Sequence, residues 1–125
     1  MELRFPEGWG ADCPPAEAGD AEGVFYRRVL CRTPSAEDFR SAVELGTRKI
    51  YDWQKCQARG LSVFRAIEDA QRYAELYPAT GNLIAQATLG RRDGKTIPTP
   101  TNGNTHTTWW PYEGVERNAK FKVLS

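Results

Sequence analysis

The chain has 125 residues and a mass of 14.1 kDa, the size of one domain that buries about two-thirds of its unfolded surface. A hydrophobic share of 40%, a charged share of 26% and fourteen aromatic residues exclude a disordered chain, and no window nears the roughly eighteen consecutive apolar residues of a membrane-spanning helix. The net charge of +1 hides an asymmetry, with six acids and one base in residues 1–22 against ten acids and sixteen bases in the remainder. A moderately basic body suits an anionic ligand such as a nucleotide pyrophosphate and lacks the dense basic stripe that polymeric nucleic acid requires.

Residues 1–22 are rich in Pro, Gly and acids and read as an irregular leader, most simply a solvated tail, with a short strand expected at residues 3–5. Its start has no basic region followed by an apolar run, so no Sec-type signal peptide is expected. Cys13, Cys31 and Cys56 are odd in number and widely spaced, which points to a reduced, cytoplasmic protein rather than a disulfide scaffold or a zinc site. Cys31 and Cys56 read as small buried side chains.

Residues 24–31 form the first expected strand, with Phe25, Arg27 and Val29 on one face and Val24, Tyr26, Arg28 and Leu30 on the other. Arg27 lies between two apolar neighbours on its own face, so it is the arginine expected to point toward the interior or a cleft. Ser35 is placed to cap a helix running to Gly46, with Asp38 in its first turn and Phe39, Ala42, Val43 and Leu45 inward. Residues 47–58 show no clean period and predict a loop with a short helical turn, anchored by Ile50 and Trp53.

Gly60-Leu61-Ser62-Val63-Phe64 predicts a sharp entry into a short strand, glycine supplying backbone freedom at the entry. Alternation sets Ser62 and Phe64 opposite Leu61 and Val63. A second helix follows, with Ile67, Ala70, Ala74 and Tyr77 at helical spacing, ended by Pro78. Residues 82–89 predict another strand, and Asp93-Gly94 a tight reversal. Residues 97–104 read as a stiff polar loop. His106-Thr107-Thr108-Trp109-Trp110 resumes extended structure up to Pro111, with one tryptophan expected in the core and the other available to a ligand. Residues 121–124 form a last strand. The order is that of an α+β domain, a curved, antiparallel-rich sheet with two flanking helices.

Three polar features stand out: Arg27, Ser62 and His106. Tyr26-Arg27, the Leu61-Ser62-Val63-Phe64 segment with its following helix, and His106-x-Thr108-x-x-Pro111 together resemble the mono-ADP-ribosyltransferase-like toxins. Among these, the pattern is most similar to small bacterial effector toxins delivered by type VI secretion. The resemblance spans residues 24–111 and implies a split sheet, in a domain over residues 23–125, with NAD in the central cleft. Arg27, beside Tyr26, would hold the dinucleotide, and Ser62 within Leu61–Phe64 would orient the nicotinamide ribose. His106 would act at the reacting end, and Trp109 or Tyr51 would stack on nicotinamide. Breaking the nicotinamide–ribose bond develops positive charge on the ribose, so oriented hydroxyls and a fixed pyrophosphate are what such a site needs.

The resemblance further implies a glycosyltransferase-type toxin acting in the cytoplasm of a producing or target cell, with an immunity or antitoxin partner that blocks the cleft. The acidic leader is a candidate part of that contact. One departure matters: no acid lies between Asp93 and Glu113, where a glutamate on a late strand would bind the ribose 2′-hydroxyl. Gln86, His106, Glu113 and Glu116 are the nearest candidates, which leaves NAD binding, an unusual transfer, or lost catalysis open. Each site residue also has a structural role open to it: a sheet arginine paired with an acid, a backbone-bonded serine, a hydrogen-bonded histidine. The alternative function is a non-catalytic protein-binding module that uses the Trp109/Trp110 strand and the Pro98–Gly103 loop.

Overall fold

Strand β2 (Gly23–Val29) carries the cleanest alternation and lies inside the sheet, with Phe25 and Val29 fully buried on its inner face. The computed structural model describes residues 3–100 and 104–124. Along its length β2 pairs with β4 (Leu83–Leu89), from Gly23↔Leu89 to Val29↔Leu83, and β4 carries the two-residue edge strand β7 (Lys122–Val123). On its other side β2 meets β3 (Leu61–Phe64) at one registered pair, Tyr26↔Phe64. Strand β3 then pairs with β6 (His106–Pro111), β6 with β5 (Gly94–Pro98), and β5 with β1 (Gly19–Asp20). All pairings are antiparallel, in the order β1-β5-β6-β3-β2-β4-β7. The fold is α+β, and its sheet consists of two laddered halves joined at a single bridge.

The short link between β4 and β5 shows how strongly the sheet curls. On a flat sheet the four strand steps from β4 to β5 span about 19 Å. The five Cα steps from Leu89 to Gly94 reach at most about 17 Å fully extended, and a 3-10 turn at Arg91–Asp93 shortens that reach. The link closes only because the sheet bends around a shared interior. That interior holds Phe25 and Val29 of β2, Leu61 and Val63 of β3, Ala85, Ala87 and Leu89 of β4, Trp109 of β6, Phe39 and Phe121. Asp93-Gly94 is therefore a corner between two unpaired strands, not the hairpin turn that the dipeptide suggests. Strand β5 instead pairs with β6, and Ile97 and Pro98 end it rather than belonging to a loop. Of the expected Pro98–Gly103 loop, residues 101–103 lie outside the described residues.

Two glycines hold this geometry. Gly94 has φ +134°, and a Cβ there would fall on the Trp110 carbonyl oxygen and 2.8 Å from the Pro111 Cα. Gly60 has extended angles open to any residue, φ −89° and ψ 172°, so its freedom is not what the chain uses. What it supplies is space, because a Cβ would overlap the Thr108 methyl and lie 3.2 Å from the Trp109 oxygen and the Trp110 Nε1.

The first expected helix is broken. A 3-10 turn, Ala36–Phe39, is followed by one turn of α-helix, α1 (Ala42–Leu45). Ser41, nearly buried, starts α1 through a reciprocal cap: Glu44 N donates to Ser41 Oγ at 3.1 Å and Ser41 N to Glu44 Oε1 at 2.8 Å. A second short helix, α2 (Lys55–Arg59), precedes β3, and Trp53 before it is 81% exposed rather than an anchor. Only α3 (Ile67–Leu76) is long. It packs on β2, β3 and β4 through buried Ala70 and Ala74, with Tyr73 rather than the exposed Tyr77 against Phe64.

The leader is not a solvated tail. Gly19 and Asp20 extend the sheet edge, Arg59 Nη1 donates to the Trp9 carbonyl at 2.8 Å, and Arg4 pairs with Glu113 at 3.0 Å. Residues 3–5 form no strand. The expectation of reduced cysteines fails where the leader meets α2: Cys13 and Cys56 form a disulfide. With Ala18 and Trp110 they build a second apolar cluster, backed by Phe5, Trp9 and Ile97. The third cysteine, Cys31, is exposed rather than buried. A staple that closes a 43-residue separation is outside the reach of a count of three cysteines.

Candidate functional site

Where β2 and β3 part beyond the Tyr26↔Phe64 bridge, the gap is spanned by a side chain. Arg27 Nη1 donates to the Ser62 carbonyl at 2.7 Å, while its Nε and Nη2 donate to the Asp38 carbonyl at 3.0 and 2.9 Å. The guanidinium also lies 5.3 Å from the centre of the Phe39 ring. Burial, and then the charge of Arg28 beside it, pull its pKa down to about 9, so it stays charged at neutral pH. The carboxylate of Asp38 faces away, accepting from Leu30 N at 2.8 Å and Ser35 N at 3.1 Å. Thus Arg27 is first of all a clasp between the two half-sheets and the 36–39 turn.

The clasp forms one wall of a cleft of about 750 Å³. Arg27, Arg28, Arg40 and Arg48 line it against two acids, Glu37 and Asp38, so its lining is net positive. Leu30, Leu45 and Trp53, all exposed, stand at its edge, and Leu61, Ser62 and Thr108 complete its lining. Of the residues expected at a ligand, then, the cleft reaches Arg27, Leu61 and Ser62.

It does not reach the others. Val63 and Phe64 are fully buried, and Tyr26 forms the bridge rather than the wall. Trp109 is also fully buried with its Nε1 donating to the Asp93 carbonyl at 2.9 Å, so it has no face for nicotinamide. Trp110 is 2% exposed and bonded through Nε1 to the Cys56 carbonyl at 2.8 Å. Both tryptophans are core, because β6 is an inner strand covered on both faces, and the surface required by the binding-module alternative is absent from it. Tyr51 is exposed outside the cleft under Lys49.

His106 stands behind Ser62 on the outer face of the sheet, 5% exposed and edge-on to Phe64. Its Nε2 lies 3.0 Å from Ser62 Oγ, and its Nδ1 lies 2.8 Å from the Thr99 carbonyl and 2.9 Å from Thr99 Oγ1. A carbonyl only accepts, so Nδ1 carries the proton and Nε2 presents its lone pair. The Ser62 hydroxyl therefore donates to His106, and its oxygen lone pairs are left toward the cleft. Thr99 Oγ1 passes the chain on to Thr108 Oγ1 at 2.9 Å.

Burial, reinforced by the positive charge of Arg28, lowers the His106 pKa, and the Thr99 carbonyl opposes this only in part. The folded protein holds a neutral ring, whereas the unfolded chain takes up a proton near pH 6.5. Below that pH the unfolded state binds more protons, so stability falls as pH drops through it and levels off below the folded pKa. Thermal melts between about pH 5 and pH 7.5 are expected to show this decline, and His106→Gln to flatten it.

The three polar residues stand out in the sequence, but what connects them does not. Thr99 falls in a stretch that reads as loop, Arg40 and Arg48 carry no pattern, and Trp53 reads as an anchor of the 47–58 loop rather than as a residue of the cleft. Of the candidates for the missing late acid, Glu113 is bound to Arg4, and neither Gln86 nor Glu116 lines the cleft. The exposed carboxylate on the wall is Glu37, paired with Arg40 at 2.9 Å. Among the described residues no cluster of His, Cys, Asp and Glu is arranged to hold a metal, and no helix is long and apolar enough to cross a membrane. The chain matches no family model, no curated protein and no solved structure.

Proposed function

We propose that this cleft binds NAD and that the chain is a toxin-like enzyme of the ADP-ribosyltransferase type, transferring ADP-ribose or cleaving NAD. The observation that carries the reading is the meeting of Arg27 and Ser62 on one wall of a net-positive cleft, at the parting of a split sheet. The residues present fit the dinucleotide. The volume lies within the roughly 300–1,000 Å³ of small-molecule sites. The bonds of Arg27 to the two carbonyls leave one N–H on each terminal nitrogen, and the planar guanidinium can present both to two pyrophosphate oxygens at once. Ser62 offers an acceptor to a ribose hydroxyl, held in that role by His106. Bound NAD supplies the glycosidic bond and a neutral leaving group; the chain fixes the phosphates, orients the ribose and keeps a proton acceptor one hydrogen bond away.

The edge of the cleft supports the partner expected of a toxin. Trp53, Leu45 and Leu30 are exposed beside Arg40 and Arg48, an apolar and basic rim suited to an immunity protein with an acidic, partly apolar surface. The Cys13–Cys56 disulfide favours formation in an oxidising compartment, so action in a cytoplasm would follow passage through one.

Expression in the bacterial cytoplasm tests the reading. The native chain is expected to arrest growth, and Ser62→Ala to restore it at equal protein level. Normal growth alongside abundant folded native protein would argue against a toxin.

A further inference from the structure

Ser62 and His106 are joined more closely than ribose binding requires. A hydroxyl on the cleft wall donates to a buried imidazole nitrogen at 3.0 Å, and that imidazole is aimed by a backbone carbonyl at 2.8 Å on its other nitrogen. Nucleophile, base and orienting group in this order form an activated-serine arrangement. Thr99 and Thr108 lock the ring further, and Phe64 packs edge-on against it, which keeps water from the imidazole. Arg28 lines the same cleft, with its guanidinium 4.0 Å above the Tyr73 ring. A cation on the cleft lining favours the negative charge of a developing oxyanion.

We infer that Ser62 is a nucleophile with His106 as its base, and that the cleft also hydrolyses anionic carboxylic esters through an acyl-serine. In the first step Ser62 Oγ bonds to the acyl carbon while its proton passes to His106 Nε2. The ester C–O bond breaks, and the same proton goes to the departing alkoxide, which leaves as an alcohol. In the second step water attacks the acyl-serine, gives its proton to Nε2, and releases the carboxylic acid as Ser62 is reprotonated. No co-reactant besides water is consumed. The net-positive lining selects a substrate that carries negative charge.

This activity needs no NAD, so its test is separate from that of the proposed function. The full chain is treated with a fluorophosphonate probe and the adduct located by peptide mass spectrometry; turnover of p-nitrophenyl hemisuccinate is compared with that of neutral p-nitrophenyl acetate. Labelling is expected at Ser62, absent in Ser62→Ala, and slowed at least about 100-fold in His106→Gln, the usual scale for loss of a general base. The anionic ester is expected to turn over faster than the neutral one. Because His106→Gln can disturb folding, the native chain supplies the second reading: its labelling rate should fall at acid pH as His106 protonates. A native, folded chain that leaves Ser62 unlabelled, or labels it at a rate indifferent to pH, overturns the inference.

Discussion

Trp109→Ala is expected to cost about 3–5 kcal/mol, the range for truncating a buried large aromatic residue, enough to unfold much of a domain whose total stability is about 5–15 kcal/mol. The residue is fully buried on β6, packs against Phe121 at 5.9 Å and ties its Nε1 to the Asp93 carbonyl. That last bond fixes the corner at Asp93-Gly94, where four residues close the curl from β4 to β5. Losing the side chain opens a cavity in the shared interior and leaves the corner carbonyl without its donor. Chemical denaturation should show a lower midpoint with an unchanged slope. A loss below about 1 kcal/mol would mean that Trp109 is peripheral, as an available ligand platform would be, and not a core residue.

Arg27→Ala is expected to cost about 3–5 kcal/mol as well, for a different reason. Two carbonyls, Ser62 and Asp38, lose a charged donor at once, and each orphaned acceptor costs about 1–3 kcal/mol when water is kept out. The loss is concentrated where β2 and β3 share one registered pair, so the half-sheets lose the clasp that complements Tyr26↔Phe64. Arg27→Lys should recover only part of it, since one ammonium cannot reproduce the fork that reaches both carbonyls. Urea unfolding of the two variants checks this; equal stability of Arg27→Ala and the native chain would remove the clasp. An Arg27→Ala protein that fails to bind a ligand therefore has two reasons to do so.

Strands β2, β3, β4 and β6 were legible in the sequence because their chemistry is local. Phe25 and Val29 alternate with Tyr26 and Arg28, and Leu61 and Val63 oppose Ser62, which is what a half-buried strand requires. Arg27 was legible as an inward arginine for the same reason, and α3 by its helical spacing. What stayed hidden depends on pairing across long separations. The alternation of Trp109 and Trp110 suggests one exposed face, but β5 and β3 flank β6, and the leader covers its far side with Cys13 and Ala18. The disulfide joins a stretch read as a tail to a stretch read as a loop. The proline at 98 argues for a loop until one sees that it closes β5 at its end, where a missing N–H costs little. In the site, the sequence offers Ser62 and His106 separately; the bond between them comes from the antiparallel register of β3 and β6, in which Ser62 faces Thr108 and Phe64 faces His106.

The most direct measurement is calorimetric titration of NAD into the native chain and into Ser62→Ala, a change that leaves the Ser62 carbonyl and the Arg27 clasp in place. Saturable one-to-one binding by the native chain, weakened at least about tenfold in Ser62→Ala by loss of one buried acceptor to the ribose, is the expected result. Absence of binding by the native chain, or identical affinity in both proteins, would contradict a nucleotide site built on Arg27 and Ser62.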